Sequence, residues 1–140
     1  MKTLFNEEEL RGLQCYHCGK SLLNPPTGHL LMKDEWKGDK QIISDIRWVC
    51  CSCDNNGIYK RWGWKDLPDL FIPEVLIQWI LGIMVSLHNK TAEWSDETME
   101  NLMKLLLIIF PHVSKEITTE QKKTLESLHW IPRCLGGLGG

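Results

Sequence analysis

The spacing of apolar and polar residues changes along the chain, from short apolar segments to long helical ones. Two apolar-rich segments, His29–Lys33 and Gln41–Val49, flank a polar stretch that contains Gly38, which predicts two strands joined at a hairpin end over residues 34–40. After a turn rich in Asp, Asn and Gly, a third strand is predicted at Ile58–Trp62. This order is typical of a three-stranded ribbon.

Two apolar helices are predicted in the second half of the chain. The first is expected over Pro73–His88, because proline suits the first position of a helix and most of the following residues are apolar. The second begins after a cap at Ser95 or Asp96. It is expected to end at Phe110, since the proline that follows cannot continue the hydrogen-bond ladder.

The first of these helices is apolar around most of its circumference. Its apolar part, which ends at Leu87, is shorter than the roughly 20 residues of a membrane span, so a buried core helix is the better interpretation. One narrow stripe of polar or small residues recurs at every fourth position: Glu74, Gln78, Gly82 and Ser86.

These elements together predict an α+β protein of two parts. Residues 1–65 are expected to form a ribbon with a small antiparallel sheet, and residues 66–134 a three-helix domain packed against it. The third helix of that domain is predicted over Thr118–Trp130, and residues 135–140 (LGGLGG) form a flexible tail. The linker Trp64–Phe71 is short and aromatic, so we expect the two parts to share an interface.

Composition and charge narrow the class of protein. The chain is 43% hydrophobic and 24% charged with a formal net charge of −2, which is ordinary for a soluble globular protein and excludes bulk attraction to polyanions. Residues 11–65 hold nine basic and five acidic side chains, whereas residues 66–140 hold six and ten. The opening MKTLFNEEEL contains no secretory signal, so we expect a cytoplasmic protein.

Four of the six cysteines form two CxxC pairs with 31 residues between them. Each pair offers two sulfurs with the bite of a tetrahedral site, and zinc takes four thiolates at roughly 2.3 Å. In a chain without a secretory signal this pattern favours a metal over disulfides. We therefore predict a zinc ribbon whose fold depends on a structural Zn²⁺ bound by Cys15, Cys18, Cys50 and Cys53.

The other cysteines and the histidine in the first pair are weaker candidates for ligands. Cys51 would pair with Cys53 only as a CxC, and His17 lies between the first two ligands. Cys134 is expected to be a free thiol. Four thiolates leave no open position for water or substrate, and no nucleophile elbow, phosphate-binding loop or HExxH motif occurs. We predict no catalytic residues and a protein that is not an enzyme.

The two apolar helices suggest where a protein partner binds. They carry more apolar surface than a helical part of this size can bury, which predicts an adaptor or inhibitor of a larger complex, of the kind that phages and mobile elements encode, or a homodimer. The alternative is that these side chains form the core of the chain itself. The candidate partner-binding residues are Trp79, Ile80, Met84, Leu105, Ile108 and Ile109.

A nucleic-acid-binding or transcription-associated ribbon is the alternative function. Basic residues can neutralise phosphates while neighbouring aromatic rings stack on bases, and the ribbon interleaves both types. Aromatic residues that serve the sheet itself would give the same pattern. The candidate residues are Lys37, Lys40, Arg47, Lys60, Arg61, Trp36 and Trp62.

One further pattern points to transcription. The acidic pair Asp34-Glu35 lies between the two CxxC pairs and is followed by an aromatic final strand, and in this it resembles the ribbon of transcript-cleavage factors. The resemblance implies that an acidic hairpin tip enters the active centre of RNA polymerase and helps to hold a catalytic metal. In this chain Trp36-Lys37 follow the pair, and the distance from Glu35 to Cys50 is longer than in that family.

Overall fold

The computed structural model describes residue 5 and residues 8–55 and 57–114. Within them the chain forms an α+β fold with a small mixed four-stranded sheet and three α-helices. The helix predicted over Thr118–Trp130, Cys134 and residues 135–140 lie outside the described residues. In chain order the elements are β1 (His29–Lys37), β2 (Lys40–Val49), α1 (Cys51–Asp54), β3 (Gly63–Asp66), a 3-10 helix (Leu67–Phe71), α2 (Pro73–His88), β4 (Ala92–Trp94) and α3 (Asp96–Ser114).

The hairpin of β1 and β2 is the centre of the sheet, whose strand order is β3-β1-β2-β4. The two strands pair antiparallel as far as Lys37 and Lys40, so the turn consists of Gly38 and Asp39 alone. Gly38 has a φ of +62°, which a glycine adopts without the steric cost of a Cβ atom. The prediction of a seven-residue hairpin end is therefore wrong, because most of its polar residues continue the two strands. The hydrogen bonds between strands join backbone groups, so polar side chains do not prevent the pairing.

The third strand begins five residues later than its predicted position at Ile58–Trp62. It is β3, which pairs antiparallel with β1 from His29 opposite Asp66 to Met32 opposite Gly63. The predicted segment forms a turn instead, in which the rings of Tyr59 and Trp62 pack edge to face with centroids 4.9 Å apart. The aromatic residues that suggested a strand therefore serve a local cluster.

Strand β4 was not predicted. Its three residues pair parallel with β2, from Ala92 opposite Gln41 to Trp94 opposite Ile43. A segment between the two long helices thus extends the sheet of the hairpin. The boundary predicted at residue 65 lies inside β3, and the division into domains stays a prediction.

Helix α2 has the predicted bounds. Pro73 occupies its first turn after an extended Ile72, and the chain leaves the helix through Lys90, whose φ is +58°. This part of the prediction is confirmed, because the signals that begin and end the helix are local in sequence. Among the described residues, no helix has both the length and the apolar character needed to cross a membrane.

Helix α3 continues beyond its predicted end. Ser95 is its cap, since its Oγ accepts the amide hydrogen of Thr98 at 3.3 Å. Pro111 lies inside the helix, which runs on to Ser114. The last turn is held by tertiary packing, in which Val113 is buried and the ring of His112 lies 5.8 Å from that of Phe71. The prediction that the proline ends the helix is wrong.

The buried side chains form one cluster that includes residues of the hairpin, the 3-10 helix and both long helices. Helix α3 supplies five residues to it and also buries Thr98, whereas the only buried residue of α2 is Leu76. Trp79, Ile80 and Ile83 of α2 are partly buried against the cluster, and the other apolar side chains that follow Leu76 on the helix are exposed. The six buried residues of α3 are Thr98, Leu102, Leu105, Ile108, Ile109 and Val113.

Candidate metal centre

The first cysteine turn is a tight loop anchored in the core. Leu13 and Leu22 are buried on either side of it, and the Leu22 amide donates to the Leu13 carbonyl at 2.7 Å. Inside this frame the Cys15 amide donates to the Lys20 carbonyl at 2.8 Å. Gly19 has a φ of +74°, as expected for the residue after the second sulfur. The loop therefore presents Cys15 and Cys18 from a fixed backbone.

The second cysteine turn follows directly from β2. Val49 is fully buried at the end of the strand, and the chain then turns into the short helix α1. The Asp54 amide closes this turn by donating to the Cys50 carbonyl at 3.1 Å. The Tyr16 amide donates to the Trp48 carbonyl at 2.9 Å, so the first turn pairs with the edge of β2 just before the second turn begins.

These two turns bring four sulfur atoms together. The Sγ atoms of Cys15, Cys18, Cys50 and Cys53 all lie within 4.8 Å of one another, the only such cluster of metal-binding side chains found among the described residues. The sulfurs of Cys18 and Cys50 are 3.8 Å apart. An ion bonded to four sulfurs at about 2.3 Å gives a tetrahedron with edges of about 3.8 Å, whereas a disulfide is about 2.05 Å long. The cluster can hold a metal ion.

Backbone donors adjust the ionisation of this cluster. Burial of Cys15 opposes its ionisation, but hydrogen bonds from the backbone of Cys18, Cys50 and His17 outweigh burial and lower its pKa to about 6. The Cys50 amide lies 3.3 Å from the Cys15 sulfur. A hydrogen bond with the Cys50 side chain, followed by burial, raises the pKa of Cys53 to about 12. The backbone therefore favours ionisation of the Cys15 sulfur, and a bound cation would release protons from other thiols of the cluster.

The two alternative ligands lie outside the cluster. Cys51 is exposed, and its sulfur is 3.9 Å from His29 Nε2. His17 forms a hydrogen bond with the buried Tyr59 hydroxyl through its Nε2 atom. Both side chains are therefore directed to other partners.

A histidine that the sequence did not single out joins the second cysteine turn to the sheet. His29, the first residue of β1, contacts Asp54 Oδ2 through Nδ1 at 2.6 Å and Asp66 Oδ1 through Nε2 at 3.3 Å. Asp54 immediately follows Cys53, so this chain of contacts restrains α1 against β3. Nothing in the spacing of these three residues indicates the contact, because it depends on the register of β3.

The predicted nucleic-acid-binding residues do not form one patch. Lys37 is exposed at the hairpin turn, whereas Arg47 lies seven residues from Lys40 along β2, about 23 Å at roughly 3.3 Å per residue. Lys40 pairs with Glu93 at 3.6 Å. The set is divided between the two ends of the hairpin: Trp36, Lys37 and Lys40 at one, and Arg47, Lys60, Arg61 and Trp62 towards the other.

The side chain of Arg47 in particular makes several contacts within the chain. Its guanidinium donates to Asp45 at 3.1 Å and to the Tyr59 hydroxyl at 3.3 Å. It also lies over the Tyr16 ring, 4.2 Å from the centroid, and 5.3 Å from that of Trp62. These contacts join the first cysteine turn to β2 and to the turn before β3.

The prediction that Asp34 and Glu35 form the hairpin tip is wrong. Asp34 and Glu35 lie inside β1, opposite Ile43 and Ile42, and the turn itself is Gly38-Asp39. Asp34 accepts a hydrogen bond from the side chain of Gln41 at 2.6 Å. The pair is therefore set back from the hairpin end, and the resemblance to transcript-cleavage factors loses the feature that implied its chemistry.

The predicted partner-binding residues divide between core and surface. Leu105, Ile108 and Ile109 are buried in the core of the chain itself, which was the alternative expectation, and a role for them in partner binding stays a prediction. Trp79 and Ile80 are partly buried against the core, and Met84 is exposed. Sequence reasoning missed other exposed residues on the same helix, Ile77, Leu81 and Val85, and the exposed Leu107 and Phe110 of α3. An all-round apolar pattern does not show which face of a helix is covered.

Comparison of the chain with protein-family models, curated protein sequences and solved structures finds no match. The properties of the site follow from its own geometry.

Proposed function

We propose that this protein is a non-enzymatic zinc ribbon that acts by binding another protein through the outward side of α2. The zinc would be structural and held by Cys15, Cys18, Cys50 and Cys53, which supply the four thiolates that zinc takes in closed tetrahedral sites. Such a site has no open position for a substrate. The recognition surface is therefore sought elsewhere on the molecule.

One observation on α2 supports the choice of surface. Four large apolar side chains are each more than half exposed: Ile77 by 56%, Leu81 by 53%, Met84 by 52% and Val85 by 57%. We call these four residues the outer face of α2. Their spacing of four, three and one residues puts them on one side of the helix, over about 12 Å at 1.5 Å per residue.

An apolar helix face of this kind suits insertion into a groove of a partner protein. Grooves of partner proteins recognise an amphipathic helix by apolar side chains on one face, here at positions i, i+4, i+7 and i+8. Helix α2 has few charges, Glu74 in its first turn and His88 in its last, so apolar burial would supply the affinity. The protein would then serve as an adaptor or inhibitor of a larger complex.

The proposal is tested by purifying partners from lysate with the native chain and two variants. Leu81→Asp places a carboxylate at the centre of the outer face and should release a stoichiometric partner. Trp36→Asp is the matched control, because Trp36 is 65% exposed and belongs to β1, outside α2. A partner lost equally from both variants, or retained by both, would contradict the proposed surface.

Nucleic-acid binding is the second candidate function. The observation that favours it is that Trp36 and Lys37, the last two residues of β1, are both exposed, since a ring can stack on a base and a cation can contact a phosphate. Binding to single-stranded RNA or DNA should weaken steeply as salt rises, and Trp36→Ala should reduce it. Absence of measurable binding at low salt would remove this candidate.

A further inference from the structure

The polar stripe of α2 lies along an open groove between the helix and the sheet. Gln78, Gly82 and Ser86 line this groove, while the outer face of α2 is exposed. A surface helix normally turns its apolar side to the sheet and its polar side to water. Here Gln78 and Gly82 are exposed and Ser86 is partly buried, so the stripe is open to water and also lines the groove.

The groove is large for a gap between a helix and a sheet. Its volume is about 440 Å³, which lies within the range of small-molecule sites and exceeds the few water-sized voids of a packed interior. Two indole rings line it, Trp79 from α2 and Trp94 from β4. The space at Gly82 is open, because a Cβ atom built there would meet no atom within 4 Å.

One charged side chain lines the groove. This is Lys65 of β3, and none of the ion pairs found among the described residues includes it. The carboxamides of Gln41 and Gln78 lie on the same lining, and the amide nitrogen of Gln41 already donates to Asp34. A cation beside indole rings and carboxamides is complementary to an anion that carries a flat apolar body.

We infer that this groove binds a small organic anion, with its carboxylate at Lys65 and its apolar ring against Trp79 and Trp94. This site is separate from the metal centre and from the outer face of α2. Binding would bury a ring that water solvates poorly and would give Lys65 a charge-assisted hydrogen bond. The polar stripe of α2 would then face the ligand.

The requirement for a negative charge on the ligand is tested with three probes that share a phenylbutyl group. The zinc-loaded full chain is titrated by calorimetry with 4-phenylbutyrate, 4-phenylbutanol and 4-phenylbutylammonium. We expect saturable binding in the order carboxylate, alcohol, ammonium, with perturbation of the indole N–H signals of Trp79 and Trp94 in NMR spectra. Equal affinity for all three probes, or no saturable binding of the carboxylate, overturns the proposal.

Two variants test the residues. Lys65→Gln should weaken carboxylate binding on the order of tenfold and leave alcohol binding within about twofold, since only the charge-assisted contact is lost. Gly82→Leu should abolish binding of both by filling the groove, and Leu81→Ala on the outer face is its matched control. If Gly82→Leu does not fold, Ser86→Leu fills the same groove. Undiminished binding by the folded filling variant contradicts the site.

Discussion

The cysteine end of the molecule and helix α2 differ in how many of their side chains have interaction partners within the chain. At the cysteine end four sulfurs meet one another, and neighbouring groups such as His29 and Arg47 have several partners within the chain. On α2 the outer face is exposed although it is apolar. We therefore expect changes at the cysteine end to alter stability and changes on α2 to alter binding.

Helix α3 sharpens this contrast, because it is also rich in apolar residues. It lies against β2 and the 3-10 helix and buries six side chains, whereas α2 buries one. Apolar content alone therefore does not show how many side chains of a helix are buried. What distinguishes the two helices is which side the sheet covers.

The largest effect is expected from Cys15→Ser. Structural zinc contributes on the order of 10 kcal/mol to the folding of small zinc modules, so losing one ligand should lose both the metal and the folded ribbon. Metal content by mass spectrometry and thermal unfolding measure this. Cys51→Ser is the control and should keep one zinc per chain, because Cys51 lies outside the cluster. A Cys15→Ser protein with full zinc content would show that the ligand set is wrong.

The next largest effect is expected from Ile109→Ala in α3. Ile109 is fully buried, so its truncation should lower the free energy of unfolding by about 3 kcal/mol. Urea unfolding measures the change, and Leu107→Ala on the exposed side of the same helix should cost far less. If Ile109→Ala leaves the free energy of unfolding unchanged and prevents partner binding, the expectation that α3 serves stability and α2 serves binding is contradicted.

A smaller effect is expected from His29→Ala. Removing the ring leaves Asp54 and Asp66 without their shared partner and should lower the free energy of unfolding by about 1–2 kcal/mol. Zinc content should stay at one per chain, since His29 contacts Asp54 and not the sulfur cluster. His88→Ala, an exposed histidine of α2, is the control. Loss of zinc from His29→Ala would indicate a ligand role instead.

The smallest effect on stability is expected from Leu81→Ser. A change on the outer face of α2 should alter the free energy of unfolding by no more than about 0.5 kcal/mol, while partner binding is lost. Leu76→Ser on the buried side of the same helix is the destabilising counterpart. A loss above about 1 kcal/mol from Leu81→Ser would mean that the outer face is covered in the free protein.

Features with local causes were predictable from the sequence. The two CxxC pairs indicated which four cysteines meet, because each pair needs only a tight turn and Gly19 supplies the conformation that this turn requires. The bounds of α2 follow from Pro73 and the apolar run after it. The hairpin of β1 and β2 was also predicted, apart from the length of its turn.

Features that depend on distant partners were decided by the tertiary structure. Strand β4 is too short for any periodicity and exists because β2 offers it an edge. Helix α3 passes Pro111 because Phe71 and the core hold its last turn. His29 meets Asp54 and Asp66 only when β3 pairs in the observed register. The apolar pattern of a helix indicates how much of its surface favours burial. Only packing decides which side of the helix stays exposed, as it does for the outer face of α2.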